Sequence, residues 1–470
     1  MAVQHWIGAE GREIGERFYS SRNPSRPDQV VAEVPEGGAE AVAKAVQAAG
    51  LARGPWSSAT GSERSVRLYA WAAVIEAEAE RWASLLVNEV GKPVGEAKGE
   101  VGRCVAILRY YANEAVRPSG QVIPALAAGT LQYAVQRPVG IVGLVTPWNF
   151  PYAIPLWKAA PALAVGNTVV WKPSEESAAC AELLAASSAR AGMPAGVFNA
   201  VFGGAETGKA IAASPMIGAV SFTGSVAAGK SVALTCAGRN AKFQTEMGGK
   251  NVGIVLPDAS MDKAAALIAA GAMRFAGQKC TATSRVVVVR SAKEAFLKAL
   301  KPALEALPSG DPNLGSVAIG PVINSVAHQR LGAVVASIGE DAWWKGETPP
   351  GYGVPPVVVE GIDPGDALAQ EELFGPILVV MEAEDADDAV RIANSVEFGL
   401  SAALYTASVA EAVRLVPRIE AGLVRVNGDT TGVDPHSPFG GLKASSSGTR
   451  EQGTVARDFF TDWQTVQIAG

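Results

Sequence analysis

From residue 140 onward, short apolar runs alternate with alanine-rich stretches of helical periodicity. Residues 140–145, 168–172, 197–202, 219–223 and 251–256 read as buried strands. Between them, 176–191, 206–213 and 226–237 read as helices, with Ser174 or Glu175 placed to cap the first. Continuous apolar strands joined by helices predict a parallel sheet covered on both faces. Such sheets bind ligands beyond the carboxyl ends of their strands, and each run ends here at a polar candidate. Residues 40–52, 62–79 and 80–102 carry helical periodicity, so the N-terminal third reads as helical. The helical pattern stops around 122–137, where 130–137 reads as a protruding strand arm. A second αβ section runs from 260 to about 433, with strands at 285–289, 377–380 and 422–426.

The 470 residues, 48% apolar and 18% charged, suit about three domains with large cores and argue against disorder. A net charge of −6 gives no reason to expect nucleic acid or an anionic membrane as partner. The cysteines at 104, 180, 236 and 280 form no CxxC, which removes zinc ribbons and thioredoxin-type pairs. Such sparse thiols suit a reducing, cytoplasmic setting. The three histidines belong to no HExxH, and no GxSxG occurs. Residues 1–12 lack the apolar run of a signal peptide. The longest apolar stretch, 140–156, is a poor membrane span because Pro147, Pro151 and Pro155 break it.

Residues 224–231, GSVAAGKS, fit the P-loop pattern between a strand and a helix, so an NTPase is one reading. No apolar strand ending in a clear Mg²⁺-binding aspartate follows; Asp258, after Pro257, is the nearest. The weaker statement is that amides at this helix start favour an anion such as a pyrophosphate. Two glycines serving a tight turn would look the same.

Three further residues carry candidate chemistry. Cys280 lies in a small-residue loop beside Lys279, a setting for an activated thiolate or for a buried structural cysteine. Glu246 precedes Gly248 and Gly249, which leave a general base room to swing, or it is a surface carboxylate beside a turn. Asn149 ends the first strand among prolines, where its amide can stabilise an oxyanion or simply shape a turn.

The order of these segments resembles the aldehyde dehydrogenase superfamily over almost the full length. The resemblance rests on TPWNFP at 146–151, Trp157-Lys158, VVWKPSE at 169–175, FTGS at 222–225 and EMGGK at 246–250. It continues through GQKC at 277–280, EELFGP at 371–376, Asn427 and PFGGLK at 438–443. It implies an α/β fold with a Rossmann-like cofactor domain (1–118 and 138–249) and an αβ catalytic domain (250–444). A β-strand oligomerisation arm (119–137 and 456–470) would build a homodimer or homotetramer. It implies NAD(P)-dependent oxidation of a small-molecule aldehyde, with no metal. A non-catalytic binding protein on the same fold is the remote alternative.

The resemblance also implies roles. Cys280 is the nucleophile, Asn149 and the Cys280 amide hold the oxyanion, Glu246 activates the hydrolytic water, and Lys158 assists proton relay. Cofactor contacts fall first on Thr146, Pro147 and Trp148, then on Lys172, Ser174 and Glu175, which meet the adenosine ribose. Gly204, Gly208, Phe222, Thr223 and Gly224 are further cofactor positions, and Ser225 contacts the pyrophosphate. Gly248, Glu372 and Phe374 adjoin the nicotinamide. Glu175 repels a 2′-phosphate, so NAD is expected to be preferred and NADP tolerated. Lys279 is expected to lower the Cys280 pKa.

Within the superfamily the chain resembles α-ketoglutaric semialdehyde dehydrogenases. That likeness rests on GQKCTATSR at 277–285, TGVD at 431–434 and SSSGTREQG at 445–453. Arg274, six residues before Cys280, is expected to grip a substrate carboxylate. Phe150, Ile154, Trp157, Val433 and Phe439 would form an apolar wall, with Thr281 beside the nucleophile. The same wall suits a broad-range or benzaldehyde-type enzyme.

Overall fold

The computed structural model describes residues 1–16 and 18–469. Five parallel strands run in the order Phe198–Ala200, Thr168–Lys172, Ile141–Val145, Ile217–Thr223, Lys242–Glu246. Of these five strands the earliest in sequence, Ile141–Val145, lies in the middle, and the later ones are laid first on one side of it and then on the other, the doubly wound order. The switch point therefore lies beyond Val145, where Thr146 to Pro151 follow. The strand Lys242–Glu246 runs KFQTE and has no continuous apolar signature. It is strand because the main chain pairs with Ile217–Thr223 on one side and with Ser446–Ser447, antiparallel, on the other.

A second sheet has seven strands, ordered Ala342–Lys345, Val357–Glu360, Ile377–Ala383, Thr283–Val289, Asn251–Val255, Ser401–Tyr405, Leu423–Val426. All its pairs are parallel except the edge strand Ala342–Lys345. A three-stranded sheet joins Thr461–Ala469, Thr130–Pro138 and Gly120–Ile123. The C-terminal part of this arm is a short helix, Ala456–Phe459, before its strand; residue 470 lies outside the described residues.

Two expectations are corrected. The N-terminal third is not wholly helical: strands His5–Ile7, Glu10–Arg12, Phe18–Asn23 and Arg26–Pro35 precede the helices. The first two are only three residues long and the other two are largely exposed, so no apolar run marks them. The helix expected at 80–102 is two, Ala79–Val90 and Val94–Glu114. Gly91 at φ 67° caps the first, and Pro93 cannot continue it. The helix after Ser260 stops at Met273, and Phe275 and Ala276 take φ of 55° and 51°.

Among the described residues, no helix is long and apolar enough to cross a membrane. No group of three or more His, Cys, Asp or Glu there can hold a metal.

Candidate active site

The ends of the two sheets converge on Cys280. Its loop is pinned from several sides. Asn251 Nδ2 donates to the carbonyls of Cys280 and Ala282, both at 2.8 Å. Gln278 Nε2 donates to Phe275 and Pro321 at 3.2 Å, and its Oε1 accepts from the Ile323 amide at 2.9 Å. Asn149 Nδ2 donates to the Gln278 carbonyl at 3.0 Å, two residues before the thiol. An amide nitrogen carries two N–H bonds, so one stays available. Asn149 Oδ1 is buried without a partner.

The thiol is not activated as expected. Burial and the carboxylates of Glu372, Glu246 and Glu451 push Cys280 up to about 12. Lys279 does not oppose this, because its ammonium is tied to Glu96 at 2.7 Å. Cys104, Cys180 and Cys236 are buried.

Glu246 ends its strand directly opposite Ser446. Ser446 Oγ donates to Glu246 Oε2 at 2.6 Å, while Oε1 is buried without a partner. Burial holds this carboxyl well above the usual range, and Glu451 adds repulsion. Glu451 is a residue that the sequence did not single out. It pairs with the buried Lys158, and its other oxygen accepts from Trp157 Nε1 at 2.8 Å. Lys158 also donates to Ser221 Oγ at 2.8 Å. Trp157, Lys158, Glu451 and Ser221 thus form one buried polar chain on the Glu246 side.

Asn149 is also held from behind. The chain turn after Gly91 buries Lys92 completely, paired with Glu100. Lys92 donates to the Asn149 carbonyl at 2.6 Å and stands 3.9 Å from the Phe150 ring centre. Glu100 accepts from the amides of Tyr152 at 3.0 Å and Ala153 at 3.1 Å.

Five of the residues expected to meet a cofactor, Lys172, Glu175, Gly204, Gly208 and Phe222, line a groove at the strand ends. A cavity of about 350 Å³ is bounded by Lys172, Glu175, Gly204, Gly208, Phe222 and Val232, among others. Lys172 and Glu175 pair at 3.1 Å at its polar end. Ser174 is spent on capping, accepting from the Glu176 amide at 3.3 Å. Ser225 caps the helix Val226–Gly238, and Gly224 donates to the Glu246 carbonyl at 3.0 Å. Thr146 Oγ1 accepts from Trp171 Nε1 at 2.8 Å, which positions Pro147 and Trp148 at the switch point. The Trp148 ring meets the edge of Phe374 at 5.8 Å. Glu372 accepts from the Gly249 amide at 2.9 Å. A Cβ on Gly248 would lie 2.0 Å from the Glu372 carboxylate, so only glycine permits this approach. Thr223 Oγ1 is buried without a partner in this region. An apolar slot, a cation–carboxylate pair and an orphaned hydroxyl fit a dinucleotide.

For the P-loop reading, Asp258 follows a strand of the second sheet and accepts from Thr406 Oγ1 at 2.8 Å. It does not face residues 224–231.

On the other side, Val433 and Phe439 pack with Leu400 against Cys280. Phe439 stacks on Trp157 at 5.5 Å. Ile154 is only 1% exposed within the helical core, so it backs this wall rather than surfacing it. Thr281 is buried, and its carbonyl accepts from Thr430 Oγ1 at 2.7 Å. Arg274 is exposed beside Glu96. Its guanidinium makes no described contact with the wall.

The profile described as the aldehyde dehydrogenase family matches residues 10–466. The chain is 41% identical over 457 residues to an alpha-ketoglutaric semialdehyde dehydrogenase of Bacillus subtilis, covering 95% of this chain and 93% of the relative. It is 37% identical to an alpha-ketoglutarate semialdehyde dehydrogenase of Haloferax volcanii, covering 98% and 97%. The crystal structure of an NAD-dependent aldehyde dehydrogenase from Sinorhizobium meliloti superposes with a TM-score of 0.96 at 34% identity, covering 100% of this chain and 95% of that one.

Proposed function

The chain belongs to the aldehyde dehydrogenase family, and from that premise we propose that it oxidises α-ketoglutaric semialdehyde, or a similar semialdehyde, to the carboxylic acid. The observation that carries this reading is Asn149 bonded to the Cys280 loop, with the Glu246 carboxylate near enough to act on the thiol and a dinucleotide-sized groove at the strand ends. The first sheet and its helices would form the cofactor domain and the second sheet the catalytic domain. NAD is the preferred cofactor, with NADP tolerated, because Glu175 lies at the polar end of the groove.

Cys280 adds its sulfur to the aldehyde carbon. Its proton must leave first, because the resting thiol is neutral, and Glu246 is a base nearby. The free N–H of Asn149 and the Cys280 amide receive the charge on the substrate oxygen. A dinucleotide held in the groove by residues such as Lys172 and Glu175 would supply the hydride acceptor, and loss of hydride from the carbon would leave a thioester on Cys280. Glu246 releases the thiol's proton toward solvent once the thioester has formed and, ionised again, takes a proton from water. The hydroxide oxygen attacks the acyl carbon, the C–S bond breaks and the thiolate leaves with the acid released. The Lys158–Glu451 pair lies beside Glu246 as a route for that proton.

The relatives' named substrates support the semialdehyde reading. The apolar wall of Trp157, Val433 and Phe439 supports a second reading, a broad-range or benzaldehyde-type enzyme. NADH formation with α-ketoglutaric semialdehyde, succinic semialdehyde, benzaldehyde and propanal separates them, with Cys280→Ala as control. A higher kcat/KM for the first is expected. Turnover favouring benzaldehyde or propanal would move the enzyme to the second class.

The three-stranded arm carries the exposed apolar residues Val122, Leu131, Trp463 and Ile468. Such a face usually finds a partner, so the enzyme is a homodimer or homotetramer.

A further inference from the structure

Arg103 stands on the helix Val94–Glu114, seven residues after Glu96 and three after Glu100. That spacing places all three on one helix face. Its Nη2 donates to the Val433 carbonyl, and to Gln452 Oε1 at 3.4 Å. Its guanidinium carbon lies 5.8 Å from the Trp157 ring centre. Val433 packs against Cys280, and Trp157 stacks on Phe439 of the same wall. Arg103 therefore reaches the substrate side of the nucleophile, where Arg274 makes no described contact.

The state of the guanidinium suggests a missing partner. Among the described residues, its hydrogen bonds go only to a carbonyl and an amide oxygen, with no carboxylate among them. Its Nε is buried and unpartnered, and so is Gln452 Nε2 beside it. The carboxylates of Asp434 and Glu100 lie near enough to favour its charge, but among the described residues neither bonds it, so donors are left for a further anion. A planar guanidinium fork matches a carboxylate with two parallel hydrogen bonds.

Resting on the semialdehyde reading above, we propose that Arg103, with the Gln452 amide, receives the distal carboxylate of the substrate. The aldehyde end then reaches Cys280 along Val433. The enzyme selects short aldehydes bearing an acid at the far end, and Arg103 sets that selection.

The test compares Arg103→Met, Arg103→Lys and Arg274→Met. For each, kcat/KM is measured for α-ketoglutaric semialdehyde and for propanal, and the ratio is the readout. Arg103→Met is expected to lower the ratio about 10- to 100-fold, mainly through KM, as expected for loss of a charge-assisted pair. Arg103→Lys should fall between, since it keeps the charge and loses the fork. Arg274→Met should leave the ratio near that of the unaltered enzyme. A ratio that holds in Arg103→Met, or falls only in Arg274→Met, overturns the proposal. Equal losses for both aldehydes would also overturn it, because Arg103 would then only brace the Val433 loop.

Inhibition of propanal oxidation by glutarate separates this from failure of the semialdehyde reading. Glutarate has the far carboxylate without the aldehyde. Its Ki should rise in Arg103→Met whether or not a semialdehyde is the preferred substrate, and an unchanged Ki overturns the assignment. Should Arg103→Met fail to fold, Arg103→Lys carries the same comparison.

Discussion

Ser446→Ala removes the one hydroxyl that donates to Glu246. In the folded protein that bond is 2.6 Å long, and the two residues face each other across paired strands. Burial and Glu451 raise the Glu246 pKa, whereas Ser446, Lys158 and Arg450 oppose the rise. A hydrogen bond to a charged group contributes about 1.5–3 kcal/mol. At about 1.36 kcal/mol per pH unit, losing it raises the pKa by about one to two units. The base is the ionised form, so a higher pKa leaves less of it at a given pH. The ascending limb of kcat against pH should therefore move about one to two units upward, with the plateau above it retained. Below the limb, turnover falls about 10- to 100-fold. The assay is steady-state kcat across pH, with a pre-steady-state burst of NADH showing that thioester hydrolysis limits turnover. Ser446→Thr keeps a hydroxyl and should restore the original limb. A limb that stays in place in Ser446→Ala, or moves down, refutes the reasoning.

Lys92→Met strands the Glu100 carboxylate in the core and should cost about 3–5 kcal/mol in denaturant unfolding. Adding Glu100→Gln to it should recover part of that loss, and a Lys92→Met protein of unaltered stability would contradict the pairing. Glu175→Gln removes the negative charge from the cofactor groove and should raise the NADP-to-NAD ratio of kcat/KM about 5- to 30-fold, from about 1–2 kcal/mol of lost repulsion; an unchanged ratio would remove Glu175 from cofactor choice. Leu131 and Ile468 face each other on the arm, 50% and 53% exposed. Leu131→Glu with Ile468→Lys keeps the strand pair but removes its apolar face, and light scattering should then report monomers in place of a dimer or tetramer.

What the sequence made legible followed the physics of burial. The parallel strands Ile141–Val145, Thr168–Lys172 and Asn251–Val255 are wholly buried, and their apolar runs announced them. The strand carrying Glu246 stayed hidden because Gln244, Thr245 and Glu246 are buried polar residues, satisfied only by the neighbouring strands. Cys280, Asn149 and Glu246 stood out through their glycine- and proline-rich surroundings. Ser446 and Glu451 did not, since they lie about 200 residues from Glu246 and reach it only through the fold. Lys279 misled for the same reason: its charge sits next to Cys280 in sequence but is consumed by Glu96 in space. Lys92 carried no signal in the sequence, and the Gly91–Pro93 turn drives it inward.

The helix Val94–Glu114 explains how the separated parts of the site keep one geometry. Its charged face carries Glu96, Glu100 and Arg103. Glu96 holds Lys279 beside the nucleophile. Glu100 holds Lys92 and two amides of the turn that carries Asn149. Arg103 holds the Val433 carbonyl on the substrate wall. Lys279 precedes a strand of the second sheet and Val433 follows one, whereas Asn149 follows a strand of the first. One rigid helix thus fixes the spacing between the oxyanion amide, the thiol and the wall. Burying such charges is costly, and apolar replacements of the same volume often stabilise a core more. Apolar residues would fill the space without defining direction, whereas each charge here makes directed bonds to a named atom. Distances of this kind must hold to within about 1 Å for catalysis, and directed bonds from one helix to three loops supply that constraint.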